Sequence, residues 1–265
     1  MKIGISIYSY GGDLHCRKMT VHDCIKHAAS VGCDGVELIS DQHFPDWPHT
    51  SPVVFKEMRK FIEDLGIRVS CFSTYLLYAL RYNRPQTREE VVQEALKQIT
   101  LASLLGAEFI RPIHLADTKQ DLIAIMKECV PALQDNNIKW VQEVHSPFPP
   151  DYFNEVLDAV NSPLVRLLPD FSLWQTQGMP SEYSSMDVST FEQLMPYVAY
   201  CHGKAHVFNE KGEEPNTPYQ KLIQILKNHK YTGYVTAEYE GWMMRETDSK
   251  QIVKTHTDLI KKYVK

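Results

Sequence analysis

The sequence predicts a single α/β domain over residues 1–265, folded as a closed (β/α)8 barrel (a TIM barrel), and three observations support this. Strand-like apolar runs alternate eight times with helix-like amphipathic patterns, which is typical of a parallel sheet with helical crossovers. No low-complexity linker interrupts the alternation. The loop after the first strand, Tyr10–Asp13, lacks the glycine-rich phosphate-binding patterns that would favour the alternative, an open doubly wound sheet.

The eight predicted strands are short runs of β-branched, aromatic and other apolar residues between turn signals. In order they are Lys2–Tyr8, Gly35–Ile39, Ile67–Phe72, Ala107–Ile113, Lys139–His145, Leu164–Pro169, Tyr197–Lys204 and Gly233–Tyr239. Side chains two residues apart on a strand share a face, so Glu143 and His145 would both point into the barrel.

The helices between the strands carry recognisable start and stop signals. A Ser or Thr followed by an acid or amide three residues on, or directly by Pro, predicts a helix start, and a glycine predicts a helix end. The predicted starts are Thr20–Asp23, Ser51–Pro52, Thr87–Glu90, about Lys119, Pro149–Asp151, Thr217–Gln220 and Thr247, and the glycine ends are Gly32, Gly66 and Gly106.

Composition and charge exclude some classes of function. The net charge of −5 gives no general attraction to nucleic acid or to an anionic membrane. No apolar run approaches the ~20 residues that span a bilayer. Six cysteines without a CxxC pair indicate reduced core thiols, and the N-terminus enters a strand without an apolar leader. We therefore expect a cytoplasmic protein without nucleic-acid or membrane partners.

Four consecutive strands end in side chains that can bind a metal. The chemistry of a (β/α)8 barrel lies at the carboxyl ends of its strands. Strands five to eight end in Glu143, Asp170, His202 and Glu238. This donor set suits one divalent ion, with Mn²⁺ favoured and Mg²⁺, Co²⁺ or Zn²⁺ as alternatives. Three carboxylates gathered without a cation would repel one another. The alternative is that one or two of these acids form structural salt bridges.

Several motifs extend this pattern to a known family. They are ISIYSY at the start, GCDGVELIS on strand two, QEVH on strand five, LLPDFS on strand six, CHGKAH on strand seven and TAEYEG on strand eight. On these motifs the chain resembles, over essentially its full length, the xylose isomerase-like TIM barrel superfamily, the sugar (phosphate) isomerase/epimerase group. The resemblance implies that one divalent ion is held by Glu143, Asp170, His202 and Glu238.

Two ligand positions have a competitor nearby. Glu240 lies two residues after Glu238, and the family pattern favours Glu238 as the ligand. His206 competes with His202, which is followed by Lys204 at the position where the family's strand-seven motif carries a Lys. The chain also departs from the ketohexose epimerases of the family, which carry a His three residues after the strand-six Asp; here that residue is Leu173. The departure weakens that one substrate class and leaves the metal site unaffected.

The resemblance implies a proton-transfer mechanism. The metal would chelate a substrate oxygen and stabilise an enediolate, while Glu143 and Glu238, on opposite faces of a ketose or related polyol ketone, remove and return the proton. His145 is either a further acid/base or a buried structural residue. Lys204 either holds a substrate oxyanion or orients a carboxylate ligand.

Further residues are predicted to contact the sugar. Arg111 and His114, at the end of strand four, would reach the distal end of the substrate, although an arginine in a barrel strand is often structural. His206 is also a candidate contact. Trp174, and with it Trp47 and Trp242, would supply a platform for a sugar ring or else anchor a loop.

Other functions remain open at this point. The same metal site would serve a lyase, either an inosose dehydratase or the barrel subunit of a C-glycoside deglycosidase, and the latter would bring a small β-rich partner subunit. A non-catalytic sugar-binding barrel is a second alternative. An apurinic-site endonuclease is a third, but enzymes of that class need more His ligands. At the positions where the strand-three and strand-six His would lie, this chain has Ser73 and Leu173. The oligomeric state is also open: a homo-oligomer is possible, since barrels of this group often pair.

Overall fold

Eight β-strands form the core of the computed structural model, which describes residues 1–76, 83–113, 118–144, 149–176, 185–244 and 246–265. The strands are β1 (Lys2–Ser6), β2 (Gly35–Ile39), β3 (Arg68–Tyr75), β4 (Phe109–Ile113), β5 (Lys139–Val144), β6 (Val165–Pro169), β7 (Tyr200–Ala205) and β8 (Tyr234–Tyr239).

The strands pair in parallel in the order β6-β5-β4-β3-β2-β1-β8-β7. The two ends of this order, β6 and β7, are joined by two parallel bridges, Leu167 with Val198 and Asp170 with His202. The sheet is therefore a nearly closed barrel, with helices in the connections between strands. This confirms the predicted (β/α)8 architecture.

The helices of the described residues follow the strands in sequence. They are α1 (Gly11–His15), α2 (Val21–Ser30), α3 (Ser40–His43), α4 (Pro52–Asp64), α5 (Arg88–Leu105), α6 (Lys119–Asp135), α7 (Pro150–Val160), α8 (Ser189–Leu194), α9 (Tyr219–Asn228) and α10 (Ser249–Val264). Short 3-10 helices occupy Ile7–Tyr10, Phe171–Trp174 and Gly241–Met243.

Three of the predicted helix starts are confirmed by their capping contacts. Thr20 and Thr87 form capping boxes with Asp23 and Glu90, and the Ser51 side chain accepts a hydrogen bond from the N–H of Val53. Each contact satisfies a backbone N–H that the first turn of a helix leaves without a partner.

The prediction that Thr217 caps a helix is wrong. The helix α9 begins at Tyr219, and its first turn has no side-chain cap. The Thr217 hydroxyl instead donates to the backbone oxygen of Lys204 and accepts a hydrogen bond from Gln175 Nε2 at 2.8 Å. These two tertiary contacts hold the residue against the end of β7, so its hydroxyl is not available to the helix.

Strand boundaries differ from the predicted ones at two places that matter for the site. β3 continues to Tyr75 because its ladder with β4 extends to the pair Tyr75–Ile113, so Ser73 lies within the strand and not beyond it. β1 ends at Ser6, where the chain turns into a 3-10 helix that carries Tyr8.

A separate cluster of buried hydrophobic side chains lies inside the barrel. It comprises Cys71, Phe109, Val141, Leu168, Tyr200 and Tyr234. Tyr200 and Tyr234 begin their strands, so the cluster lies toward the amino-terminal ends of β7 and β8. Polar residues at the opposite ends therefore rest on a packed floor.

The cysteines and the helices bear on the predicted cellular setting. All six cysteines are free thiols, and all except Cys16 are buried, which is the arrangement predicted for core thiols. Among the described helices, none combines the length and apolar character that a bilayer crossing requires.

Acid sensitivity is expected from His43, a buried residue of α3. Its Nδ1 accepts the backbone N–H of Ile39 at 2.8 Å, and burial lowers the pKa of His43 to about 3. Below the ordinary histidine pKa of 6.5, the unfolded chain binds a proton at this residue that the folded chain does not. As the pH is lowered further, the free energy of unfolding therefore falls by up to about 1.4 kcal/mol per pH unit.

We expect His43→Asn to remove this contribution between pH 6.5 and 4.5, because Asn Oδ1 can accept the same N–H without titrating. Urea unfolding at several pH values measures the effect. Equal slopes of unfolding free energy against pH in the two proteins would contradict the prediction.

Candidate metal centre

Four metal-competent side chains converge at the carboxyl ends of β5 to β8. Glu143, His202 and Glu238 lie within β5, β7 and β8, and Asp170 directly follows β6. One donor atom from each lies within 4.8 Å of all the others. Two ligands on opposite sides of one ion lie at most about 4.4 Å apart at metal–ligand distances of roughly 2.2 Å. Small side-chain adjustments would therefore let the four share a metal, and the cluster could hold one.

The neighbouring strands set this geometry. The parallel bridge between Asp170 and His202 places these two residues side by side, and Lys204 is opposite Glu238 in the ladder of β7 and β8. Asp170 is also oriented by its own backbone turn, since its Oδ1 accepts the N–H of Ser172 at 2.8 Å. Its Oδ2 lies 3.0 Å from Lys204 Nζ.

The chemistry of the donor set fits a cation. Asp170 Oδ2 and Glu238 Oε2 are buried and accept no well-oriented hydrogen bond among the described residues. Lys204 Nζ lies 3.0 Å from the first oxygen and 2.6 Å from the second. Buried carboxylates that share one ammonium group remain short of positive charge. A divalent ion would supply what they lack.

Lys204 is the cation of this side of the site. Its nearly buried ammonium contacts Glu240 Oε2 at 3.0 Å in addition to Asp170 and Glu238. Burial would lower the pKa of Lys204, but the charges of these three carboxylates raise it well above its usual value. The lysine therefore stays positively charged, and its contacts with Asp170 and Glu238 allow it to orient these two carboxylates.

His202 is fully buried and has carboxylates on both sides of its ring. Nδ1 lies 3.2 Å from Glu143 Oε1 and 3.3 Å from Glu238 Oε2, and Nε2 lies 2.7 Å from Glu37 Oε2. Burial would lower the pKa of His202, but the charges of Glu238 and Glu37 raise it to about 10. A metal at Nδ1 would therefore have to displace a proton.

Arg111 links two carboxylates on the other side of the site. Its Nη1 donates to Glu143 Oε1 at 2.6 Å, and its Nε donates to Ser73 Oγ at 2.9 Å and lies 3.7 Å from Glu37 Oε1. The side chain lines the cavity but is almost wholly buried. Its guanidinium is already engaged by the carboxylates of Glu143 and Glu37. Its role as a substrate contact remains a prediction.

Glu37 was not among the predicted site residues. It lies in the middle of β2, is completely buried, and contacts Ser73, Tyr200 and His202. Burial disfavours its charge, but His202 and Arg111 lower the pKa of Glu37 to about 2. The available signal was a single acid within the otherwise apolar strand Gly35–Ile39, since a buried acid needs a partner.

The two competing ligands lie outside the four-residue cluster. Glu240 Oε2 pairs with Lys204, and its Oε1 accepts a hydrogen bond from Tyr8 at 3.2 Å. His206 is buried, and its Nε2 lies 3.6 Å from Glu240 Oε2. The geometry thus favours Glu238 and His202 over these alternatives.

A cavity of about 150 Å³ opens beside the cluster, and its two sides differ. Its described lining is acidic and basic on one side and largely apolar on the other: Arg111, Glu143, Lys204, Glu238 and Glu240, against Tyr8, Ile39, Tyr75 and Ile113.

The predicted sugar-platform residues have separate placements. Trp174 is not part of this lining, because it is buried against Phe191 and its Nε1 donates to Thr190 Oγ1 at 3.0 Å. Trp242 packs edge-on against Tyr8 at the rim, with ring centroids 5.3 Å apart. His114 and His145 lie outside the described residues, so their predicted roles stay predictions.

Comparisons with known proteins identify the fold and its relatives. A family model described as xylose isomerase-like TIM barrel matches residues 25–263. The alpha subunit of 3'-dehydrocarminate deglycosidase from Microbacterium is 21% identical, covering 93% of this chain and 90% of the relative. Among solved structures, L-ribulose 3-epimerase superposes with a TM-score of 0.74 at 15% identity, covering 99% of this chain and 94% of its own. The IolI protein with a bound zinc atom has a TM-score of 0.73 at 14% identity, covering 99% of both chains.

Metal titration of single variants should show which of two glutamates is the metal ligand, Glu238 in β8 or Glu240 just after it. We expect Glu238→Gln to weaken Mn²⁺ binding more than 100-fold because it removes a ligand, and Glu240→Gln to weaken it by about tenfold or less because it acts through Lys204. Calorimetric titration of protein freed of metal by chelator provides the measurement. The opposite order of effects would assign the ligand to Glu240.

Proposed function

This chain belongs to the xylose isomerase-like TIM barrel family, and on that premise we propose that it is a divalent-metal-dependent enzyme that isomerises or epimerises a ketose or a related polyol ketone. One observation carries the proposal: a Glu/Asp/His/Glu set from four consecutive strands converges to within 4.8 Å, and two of its members line the adjoining cavity. An epimerase among the structural neighbours has the same fold.

In this proposal Glu143, Asp170, His202 and Glu238 hold the metal. A bound divalent ion would act as a Lewis acid and stabilise the negative charge that develops on the substrate oxygens. Three carboxylates and one imidazole suit Mn²⁺, with Mg²⁺, Co²⁺ or Zn²⁺ as alternatives. The bound zinc of the IolI structure is a precedent for a metal in this fold.

Glu143 and Glu238 are the proposed proton carriers. They line the cavity from β5 and β8, which lie apart in the order of strands, so a substrate between them would present a different face to each. One carboxylate removes the proton next to the carbonyl and the other returns it. Arg111 holds Glu143 and Lys204 holds Glu238, so both carboxylates are fixed in position. His145 is proposed as an additional acid/base.

A lyase is the second candidate, and the apolar wall of the cavity favours it. Tyr8, Ile39, Tyr75 and Ile113 form a surface suited to a flat apolar group more than to sugar hydroxyls. The deglycosidase relative is described as an alpha subunit, so this reading brings a partner subunit, for which we propose a small β-rich protein. Release of the aromatic aglycone from an oxidised C-glycoside by the co-expressed pair would favour the lyase.

A nuclease of the apurinic-site class is disfavoured. Such an enzyme needs several further His ligands, and the described residues contain one group of at least three metal-competent side chains, with a single His. Ser73, at the strand-three position, is bonded to Glu37 and Arg111, and Leu173 is buried. Absence of cleavage of abasic duplex DNA by the metal-loaded protein is the expected result.

The proton-transfer proposal is tested with Glu143→Gln and Glu238→Gln. Proton exchange in deuterated water, followed by NMR on a panel of ketoses and inososes, should fall by about 10²- to 10⁴-fold in each variant. If each carboxylate acts on one face, one variant should lose proton abstraction from one epimer of a responsive substrate, and the other variant should lose it from the opposite epimer.

Two controls accompany this measurement. Glu63→Gln, on the exposed surface of α4, should exchange like the wild type. Metal content is measured for each variant at saturating Mn²⁺, since Glu143 and Glu238 are also proposed ligands. Unimpaired exchange in a metal-loaded variant would remove that residue from the pair. Metal binding without exchange on any substrate would favour the non-catalytic barrel.

A further inference from the structure

Glu37 is a buried acid that the proposed reaction does not use. Its carboxylate is completely buried beneath the metal-competent cluster, and it accepts hydrogen bonds from Ser73 Oγ at 2.5 Å and from Tyr200 Oη at 3.3 Å. Burying an ionised carboxylate costs several kcal/mol unless charges and hydrogen bonds compensate it. An apolar residue would fill this position without that cost, so packing alone does not explain the presence of an acid.

The explanation lies in the two nitrogens of His202. Nε2 is 2.7 Å from Glu37 Oε2, a short contact between fully buried groups. Nδ1, on the other side of the ring, lies 3.2 Å from Glu143 Oε1 and 3.3 Å from Glu238 Oε2, among the proposed ligands. A neutral imidazole carries one proton, so an acceptor at Nε2 places that proton there and leaves the Nδ1 lone pair facing the cluster.

We propose that Glu37 is a positioning residue of the metal centre: it accepts the Nε2 proton of His202 and thereby fixes the ring orientation and tautomer in which Nδ1 binds the ion. The inference rests on the metal site of the proposed function. Carboxylate–histidine–metal arrangements of this kind raise the basicity of the ligand and reduce its rotational freedom. Glu37 itself does not touch the metal or the substrate.

The surroundings of Glu37 support this role. Ser73 on β3 donates to Glu37 Oε1 and Tyr200 on β7 donates to Oε2, so the carboxylate is held both from the adjacent strand and from a strand that is not adjacent to β2. Arg111 stands between Glu37 and the ligand Glu143, at 3.7 Å and 2.6 Å. The carboxylate therefore has a fixed direction before any metal binds.

Two variants separate the hydrogen bond from the charge. Glu37→Gln keeps an oxygen that can accept the Nε2 proton but removes the negative charge, and Glu37→Leu removes both at similar volume. We expect Mn²⁺ affinity, measured calorimetrically, to fall about 10-fold in the first variant and up to about 100-fold in the second. The visible absorption of bound Co²⁺ should shift in both, because the imidazole ligand becomes less basic in Glu37→Gln and also loses its fixed orientation in Glu37→Leu.

Glu214→Gln is the matched control. Glu214 is a buried carboxylate that accepts the backbone N–H groups of Asn216 and Thr217, and it lies outside the proposed ligand set. We expect this variant to lose stability while retaining the wild-type metal affinity and Co²⁺ spectrum. If Glu37→Leu does not fold, Glu37→Gln still carries the test through the Co²⁺ spectrum and the affinity.

The outcomes distinguish this inference from the proposed function. If the wild-type protein binds no divalent metal, both fail. If the wild type binds metal but Glu37→Gln and Glu37→Leu bind Mn²⁺ equally well and give an unchanged Co²⁺ spectrum, the positioning role alone is overturned. Lowered thermal stability with unchanged affinity would also overturn it, since that is what a purely structural acid predicts.

Discussion

The compensation of buried negative charge is the constraint on which the mouth of this barrel depends. Five carboxylates meet there: Glu37, Glu143, Asp170, Glu238 and Glu240. The permanent cations that contact them, among the described residues, are Arg111 and Lys204. Without a metal, the raised pKa of His202 lets its ring offset part of this charge. With His202 neutral, as a metal ligand must be, five negative charges face two positive ones, an excess that is strongly unfavourable in a packed, low-dielectric site. A divalent ion would remove most of this excess and would let His202 act as a neutral ligand.

The strand β7 organises this compensation. His202 and Lys204 lie two residues apart, so both side chains point inward from the same face of the strand. His202 contacts Glu37 and Glu143, while Lys204 contacts the carboxylates at the ends of β6 and β8. Arg111 then balances the acids that Lys204 does not reach. One strand thus connects the two halves of the charge network, and the bridge between Asp170 and His202 holds it in register where β6 and β7 meet.

The sequence made the fold and the four converging donors predictable, because both depend on order along the chain. Alternating patterns indicate a barrel, and a barrel brings the ends of its strands together whatever the loops do. Glu37 was missed for a physical reason. Every residue of β2 is buried, so no alternation of polar and apolar residues marks the face that points inward. Its partner His202 lies 165 residues away, a distance over which sequence patterns carry no pairing information. The misassigned cap at Thr217 has a similar cause, since tertiary contacts claimed a hydroxyl that local sequence assigned to a helix.

The cavity separates chemistry from recognition. Its charged side comes mainly from β5, β7, β8 and the residues after them, whereas Tyr8, Ile39, Tyr75 and Ile113 belong to β1–β4 and the turn after β1. Removing one partner of a buried charge pair typically costs 3–5 kcal/mol, because the other partner is left uncompensated. Exchanging one apolar wall residue for another of similar volume usually costs less than about 1.5 kcal/mol. The charged side therefore resists change while the wall tolerates it. On this reasoning, the substrate preference of the proposed enzyme should be changed more easily by substitutions in the wall than by substitutions on the charged side.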